Sequence, residues 1–171
     1  MPTAREKQSA PYGRAIIHRT AMDKEVVVIL PYIGDKVLLQ LRDIKDGIDF
    51  PGCWGFFGGS IDFGETPEST ARRELFEELN YRPEVMNKLR TDRIPTLGNL
   101  VSHSYSCPLT VSPRRLVLRE GLDLGLFSLE QVRAKELYSI RLKRLFPVTG
   151  NAYIVDTIVK LFNILAANGK R

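Results

Sequence analysis

The chain has 171 residues; 43% of them are hydrophobic, 26% are charged, and the formal net charge is +5. This length and composition fit one globular domain with a sizeable core. No apolar run approaches the roughly 20 residues needed to cross a bilayer, and no apolar segment of signal-peptide length follows the basic N-terminus. Two cysteines, Cys53 and Cys107, are too few for a disulfide framework. We therefore expect reduced thiols, a cytoplasmic location and no membrane partner.

The first third of the chain predicts a tail followed by a β-hairpin. Residues 1–22 are polar and interrupted by proline and glycine, so we expect a tail or arm there and a single domain over residues 23–171. Residues 25–32 are apolar and β-branched in the middle, which predicts a central strand. Residues 36–42 follow a Gly34-Asp35 turn and predict the paired strand. A short aromatic segment, 54–57, then leads into the pair Gly58-Gly59.

A helix over about residues 68–79 is the central prediction. Pro67 fits the first helical turn, where its missing N–H is not needed, and Thr66 fits the N-cap. At about 100° per residue, one arc of this helix is apolar and must face the core. That arc contains Ala71, Leu75, Phe76 and Leu79.

Three carboxylates, Glu74, Glu77 and Glu78, share the arc beside the apolar one. Like charges at this spacing repel one another and destabilise a helix. A divalent cation would remove the repulsion, because hard cations take carboxylate oxygens as ligands. Arg73 lies next to these carboxylates and Glu65 precedes it by eight residues. We therefore expect an Arg73–Glu65 pair that braces the loop against the helix.

These residues have the spacing of a known motif, the Nudix box G-x5-E-x7-R-E-U-x-E-E-x-G-U. Its first glycine and all its charged positions are present, as Gly59, Glu65, Arg73-Glu74-Leu75 and Glu77-Glu78. The chain therefore resembles the MutT-like members of the Nudix hydrolase family. Asn80 and Tyr81 replace the last glycine and aliphatic residue, but asparagine also adopts the left-handed conformation that ends helices. The resemblance implies an α/β fold, an α/β/α sandwich around a mixed, partly antiparallel sheet.

The Nudix resemblance also implies a reaction, the metal-dependent hydrolysis of a pyrophosphate bond in a nucleoside diphosphate linked to another group. The implied cofactor is Mg²⁺ or Mn²⁺, which lowers the pKa of bound water and neutralises phosphate charge. Its implied ligands are Glu74, Glu77, Glu78 and the backbone carbonyl of Gly58 or Gly59. Arg73 and Glu65 would orient these ligands.

The general base is left open by the resemblance. In some branches of the family the glutamate matching Glu74 takes the proton, and in others a carboxylate from a distant loop does. Glu120 is our candidate for that external carboxylate, and Asp123 is the weaker alternative. The candidate substrate contacts are Arg42, for phosphate, together with Gly58 and Trp54, the last with packing as its first role.

After the box, the sequence predicts four more strands and two helices. The strands are expected over residues 85–93, 100–110, 115–119 and 124–127. Ser128 and Gln131 form a capping box for a short helix that ends near residue 136. Residues 137–149 are basic and are predicted to be irregular. Asn151 is then expected to cap a long helix, whose apolar stripe ends at Asn168-Gly169.

Several functions remain open on the sequence alone. The substrate could be a damaged nucleoside triphosphate, a nucleotide sugar or an ADP-ribose-like molecule. The alternatives to a hydrolase of small molecules are a catalytically silent nucleotide sensor and an RNA 5′-end pyrophosphohydrolase. Retention of every box glutamate favours the enzyme. The basic clusters at 114–119 and 133–144 suit an anionic small molecule but lack interleaved aromatic residues, which argues against nucleic acid. Family habit implies a homodimer.

Overall fold

The computed structural model describes residues 24–168, apart from the side chains of Thr96 and Asn151. The predicted tail at 1–22 and the predicted capping side chain of Asn151 therefore lie outside the described part. The strands are β1 (Glu25–Ile33), β2 (Lys36–Leu41), β3 (Trp54–Gly55), β4 (Asn87–Ile94), β5 (Leu100–Pro108), β6 (Asp123–Ser128), β7 (Glu136–Ser139) and β8 (Arg144–Pro147). The helices are α1 (Pro67–Leu79), α2 (Leu129–Arg133) and α3 (Asn151–Asn168).

The main sheet has the order β3-β2-β1-β5-β4, and β6 pairs with β2 as well. The β1–β5 pair is parallel and the other pairs are antiparallel, so the predicted mixed sheet is confirmed. β1 and β2 pair only beside their hairpin turn, at Tyr32–Val37 and Ile33–Lys36. Beyond that point the edge of β1 pairs with the glycine segment instead, and Val27 donates its N–H to the carbonyl of Gly59 at 2.9 Å. The glycine pair is thus held in the space where β1 and β2 separate.

Two apolar clusters cover the two faces of the sheet. Helix α1 packs on one face through Ala71, Leu75 and Leu79. Helix α3 packs on the other face through Ile154, Ile158 and Leu161, together with α2. The predicted α/β/α sandwich is therefore confirmed. None of the helices within residues 24–168 is long and apolar enough to cross a membrane.

Strand β2 shows how the side chains divide between these faces. Successive strand residues point to opposite sides. Val37, Leu39 and Leu41 accordingly join the α3 side. Leu38 joins the α1 side, and Gln40 makes a buried hydrogen bond to Glu78 of α1. A polar side chain in the middle of an apolar strand is thereby directed at the acidic helix.

The predicted strand at 115–119 is wrong. Pro113–Arg115 form a 3-10 turn, and the residues that follow lie along the end of α1 instead of in the sheet. Val117 donates its N–H to the carbonyl of Leu79 at 3.2 Å, and Arg119 donates to the carbonyl of Glu78 at 2.8 Å. The last carbonyls of a helix have no partner within it, so this segment satisfies them.

Other predictions also need correction. The stretch 137–149 is not irregular, since β7 and β8 form an antiparallel hairpin within it. Helix α2 ends at Arg133, and Lys135 has a left-handed φ of 70° that no helix continues through. Phe76 was expected in the core but is half-buried, with the guanidinium of Arg82 3.8 Å from its ring centre.

Candidate active site

Helix α1 starts and ends as its sequence predicts. Thr66 is the N-cap and forms a reciprocal capping box with Ser69. Asn80 ends the helix in the left-handed conformation, with φ 52°, so it takes over the backbone role of the glycine in the motif. Tyr81 buries its ring, and its hydroxyl donates to the carbonyl of Pro108 at 3.1 Å. These contacts fix α1 rigidly against the sheet.

Arg73 joins the loop before α1 to the acidic side of the helix. Its guanidinium donates to both oxygens of Glu65, at 2.8 and 2.9 Å, which confirms the predicted brace. The same side chain donates to Glu74 at 2.8 Å and to Glu77 at 3.0 Å. The hydrogen bond from Arg73 lowers the pKa of Glu65 to about 2. Arg73 thus fixes the position of Glu74 while balancing part of the negative charge.

Arg73→Lys is expected to lower the catalytic rate about tenfold and to leave the Michaelis constant nearly unchanged. Lysine keeps the charge but cannot donate to Glu65 with two parallel N–H groups, so Glu74 loses its fixed position. Steady-state kinetics of the purified variant measures the effect. Arg72→Lys is the matched control, because Arg72 pairs with Glu68 on the outer side of the same helix. Equal losses in both variants would contradict a special role for Arg73.

Glu78 is the most buried carboxylate of the motif, with 4% of its surface exposed. Gln40 donates its side-chain N–H to Oε1 at 2.9 Å, and Gly58 donates its backbone N–H to Oε2 at 3.1 Å. Burial, with a smaller contribution from the charges of Glu74 and Glu120, raises the pKa of Glu78 to about 8 even though the two hydrogen-bond donors lower it. An ionised Glu78 is therefore costly here unless a cation accompanies it.

This raised pKa predicts a pH effect on the metal-free protein. Between the ordinary value of 4.5 and about 8, the folded state keeps a proton on Glu78 that the unfolded state has lost. Stability therefore falls as pH rises through this window, by at most about 1.4 kcal/mol per pH unit. Chemical unfolding with EDTA from pH 5 to 8.5 measures the slope in the wild type and in Glu78→Gln. Identical slopes in the two proteins would contradict the prediction.

Glu120 is brought to Glu78 by the segment that lies along the end of α1. Arg119, its neighbour, is hydrogen-bonded to the backbone of Glu78. Glu120 and Glu78 line one small cavity of about 50 Å³, together with Gln40, Arg42 and Gly121. Burial raises the pKa of Glu74, and the charges of Glu77 and Glu120 act in the same direction. Glu74, Glu78 and Glu120 therefore act on one another electrostatically.

The other predicted acids lie elsewhere. Half of the Glu77 side chain is exposed, and its carboxylate pairs with Arg73. Asp123, the weaker candidate for a general base, accepts hydrogen bonds from the hydroxyl of Ser139 at 2.6 Å and from the backbone N–H of Arg141 at 3.2 Å. These bonds hold the β7–β8 turn against β6. Asp123 therefore has a structural task, and it is absent from the cavity that contains Glu120.

Within residues 24–168, no three Asp, Glu, His or Cys side chains already converge as a complete metal-ligand group. The donor set of the cleft nevertheless fits a hard divalent cation. Glu74 and Glu78 both have pKa values raised by burial and by their neighbours' charges, which a bound cation would offset. Carboxylate oxygens are the donors that Mg²⁺ and Mn²⁺ prefer. The buried or neighbouring residues that could hold such an ion are therefore Glu74, Glu78 and Glu120, while Glu77 stays a predicted ligand.

The backbone of Gly58 and Gly59 lies directly beside the carboxylates of this cleft. A Cβ atom on Gly59 would lie 2.3 Å from Oε1 of Glu74, so only glycine leaves that carboxylate its present place. The Gly59 carbonyl, a predicted metal ligand, already accepts the N–H of Val27. Gly58, a predicted substrate contact, directs its N–H at Glu78. In this structure the pair supports the two glutamates.

A larger pocket of about 370 Å³ opens on the α3 side of the glycine segment. Its walls include the aromatic side chains of Phe50, Phe56 and Tyr153. Arg42 and Ile48 line both this pocket and the acidic cavity, so the two spaces adjoin. The guanidinium Nε of Arg42 donates to the carbonyl of Asp49 at 2.8 Å. The arrangement places an apolar, aromatic pocket next to a carboxylate cleft, with an arginine at the junction.

Trp54 does not contact either space. Its side chain is fully buried, its ring packs edge-on against Phe127 with centres 4.9 Å apart, and its Nε1 donates to the carbonyl of Leu137 at 3.0 Å. The structure thus shows the packing role, the first one predicted for Trp54, and leaves its side chain outside both spaces. Gln40, in contrast, lies in the site, although it is not among the site residues predicted from the sequence. The signal was present as one polar residue within the apolar run 37–41.

The mixed-sheet sandwich, the glycine turn and the acidic helix facing a cleft together define a structural class. A family model described as the NUDIX domain matches residues 22–147, and the chain belongs to that family.

Individual relatives match only part of the chain. An oxidized purine nucleoside triphosphate hydrolase of Danio rerio is 32% identical over 75 residues, covering 44% of this chain and 46% of the relative. An RNA pyrophosphohydrolase of Aeromonas hydrophila is 45% identical over 40 residues, covering 23% of each protein. The chain thus spans less than half the length of these curated relatives.

A solved structure matches more of the chain. The NUDIX domain of Shewanella oneidensis NrtR, crystallised with ADP ribose, superposes with a TM-score of 0.61 over 84% of this chain and 88% of that one. Its sequence identity is 22%, so this likeness shows the shared fold alone.

Proposed function

We propose that this protein hydrolyses a pyrophosphate bond in a nucleoside diphosphate linked to another group, with Mg²⁺ or Mn²⁺ as cofactor. The observation that carries this proposal is the junction at Arg42. An aromatic pocket large enough for a nucleobase adjoins a small cavity lined by Glu78 and Glu120, and Arg42 lines both spaces. A nucleotide has the same division, with an apolar base at one end and a row of phosphates at the other.

The side chains have distinct tasks in this proposal. Phe50, Phe56 and Tyr153 take the base, because aromatic faces stack on it. Arg42 binds a phosphate oxygen, since its guanidinium matches phosphate geometry. Glu74 and Glu78 hold the cation, and Arg73 and Glu65 keep Glu74 in place. When bound, the cation neutralises the diphosphate and lowers the pKa of a water molecule.

The proton of the attacking water needs a carboxylate that is not wholly engaged in ligation. Glu120 is our proposed general base. It lies in the acidic cavity beside Glu78, and its loop is anchored by two backbone hydrogen bonds, from Arg119 to Glu78 and from Leu122 to Leu41. A carboxylate on an anchored loop is held in place to accept that proton. Glu74 remains the alternative base.

A phosphate-release screen tests the proposed function. The purified protein is incubated with Mg²⁺ or Mn²⁺, a coupling phosphatase and one substrate class per reaction, with EDTA as the blank. Oxidised purine nucleoside triphosphates come first, because a relative carries that name. Ordinary triphosphates, nucleotide sugars and ADP-ribose follow. Metal-dependent turnover of one class supports the proposal. Nucleotide binding without turnover on any member would overturn it.

Two alternatives have specific support. The first alternative is a nucleotide sensor that binds without hydrolysis, because the fold is shared with a NUDIX domain that was crystallised with ADP ribose. Tight binding of ADP-ribose without hydrolysis would favour it.

The similarity to an RNA pyrophosphohydrolase adds triphosphorylated RNA to the screen. Release of diphosphate from a short 5′-triphosphate RNA, at a higher kcat/KM than from any free nucleotide, would favour that reaction.

A further inference from the structure

Gln40 lies at the meeting point of three parts of the site. Its side chain, 3% exposed, donates to Oε1 of Glu78 at 2.9 Å and to the carbonyl of Phe56 at 3.3 Å. The Phe56 carbonyl can only accept, as can Glu78 in its ionised form, so the NH₂ of the amide faces them and its oxygen faces away. A Cβ atom on Gly121 would lie 3.2 Å from that oxygen. One amide therefore touches α1, the wall of the large pocket and the loop that carries Glu120.

The carboxylate of Glu78 is held from two sides. Gln40 on β2 takes one oxygen, and Gly58 on the glycine segment takes the other at 3.1 Å. β2 and the glycine segment flank the gap where β1 leaves its hairpin partner. Each oxygen retains a further lone pair, since a carboxylate offers about four acceptor sites. Glu78 can thus keep both donors while it also binds a cation.

We propose that Gln40 is a positioning residue that holds the Glu78 carboxylate in its metal-binding orientation and keeps the Glu120 loop at a set distance from it. The inference rests on the proposed function for the identity of the ion. It adds a residue outside the Nudix box to the machinery. The neutral amide suits this place because it donates to a carboxylate without adding a charge of its own to a buried, already acidic cleft.

The test is Mn²⁺ affinity, measured by calorimetry in the absence of nucleotide. Gln40→Met keeps the size of the side chain and removes both donors, and Gln40→Asn keeps the amide but shortens its reach by one methylene. Both variants are expected to bind Mn²⁺ at least about tenfold more weakly. Val37→Ala is the matched control, because Val37 is buried on the other face of the same strand. It is expected to lose stability while its Mn²⁺ affinity stays within twofold of the wild type.

A second readout separates positioning from general damage. Excess Mn²⁺ is expected to restore most of the turnover of Gln40→Met but none of the loss in Val37→Ala. Unchanged Mn²⁺ affinity in both Gln40 variants would overturn the inference, as would an equal loss in Val37→Ala. Mn²⁺ binding that is insensitive to Glu78→Gln would overturn it as well, because Gln40 would have no ligand to orient. Weaker Mn²⁺ binding in the Gln40 variants of a protein that hydrolyses no nucleotide would disprove the proposed function alone.

Discussion

Glu78→Gln is expected to lower kcat/KM about 10³-fold, the scale of losing one preorganised electrostatic group in an active site. Glu78 is the buried carboxylate at the centre of the cleft, held by Gln40 and Gly58 and facing the charges of Glu74 and Glu120. Glutamine keeps its shape but brings no negative charge to a cation. The variant is expected to stay folded, because at neutral pH the wild-type carboxyl is itself mostly protonated in the absence of metal.

Turnover under Mg²⁺ and circular dichroism of the same sample measure these two outcomes. Glu68→Gln is the matched control on the same helix, since Glu68 is exposed and pairs with Arg72 one helical turn further on. Its activity should be unchanged and its stability lower by at most about 0.5 kcal/mol. Full activity in Glu78→Gln would remove Glu78 from the metal site and with it the proposed chemistry.

Gly58→Ala is expected to lower the free energy of unfolding by about 3 kcal/mol or more and to abolish turnover. Gly58 has a φ of 135°, a conformation that L side chains rarely adopt, and an added Cβ would lie 2.1 Å from the carbonyl oxygen of Val27. Because that oxygen belongs to a central strand, moving it aside would cost free energy. Any shift of the glycine segment also withdraws the N–H that holds Glu78.

Gly64→Ala separates the two causes of this loss. Gly64 also has a positive φ, of 86°, but a Cβ there would meet nothing within 4 Å. It should therefore lose only the conformational cost of about 1 kcal/mol. Urea unfolding of the two variants provides the comparison. Similar losses of unfolding free energy in the two variants would mean that the structure relieves the contact between the new Cβ and Val27 at no energetic cost.

The helix and its caps could be predicted from sequence because they depend on near neighbours. Thr66, Pro67 and Asn80 each act on backbone groups within a few residues, so their types alone indicate where α1 begins and ends. The Arg73–Glu65 pair could be predicted for the same reason, as the loop between the two residues is short. Tyr105 and Cys107 join one core cluster because residues two apart on a strand point to the same side.

The segment at 115–119 shows where local reasoning fails. Its three consecutive apolar residues, 116–118, are typical of a short strand, and Leu116 and Leu118 do pack against the core cluster on the α1 side. Its N–H groups, however, bond to the last carbonyls of α1 instead of to a neighbouring strand. The pattern of side chains indicates burial, but it does not indicate which backbone partner is available.

By itself, the sequence determined the acidic helix and the glycine turn, because periodicity, caps and motif spacing are local properties of the chain, and the motif's resemblance to the Nudix box implied the mixed sandwich. Only the tertiary structure decided which carboxylates meet. Glu77 points outward to Arg73, whereas Glu120, which lies 42 residues after Glu78, is brought to Glu78 by the backbone hydrogen bond from Arg119. The tertiary structure likewise directs the Gln40 side chain to Glu78 in the cleft and the Trp54 ring into the core. Contacts between distant segments depend on how the strands separate and which groups then need partners, and no short stretch of sequence carries that information.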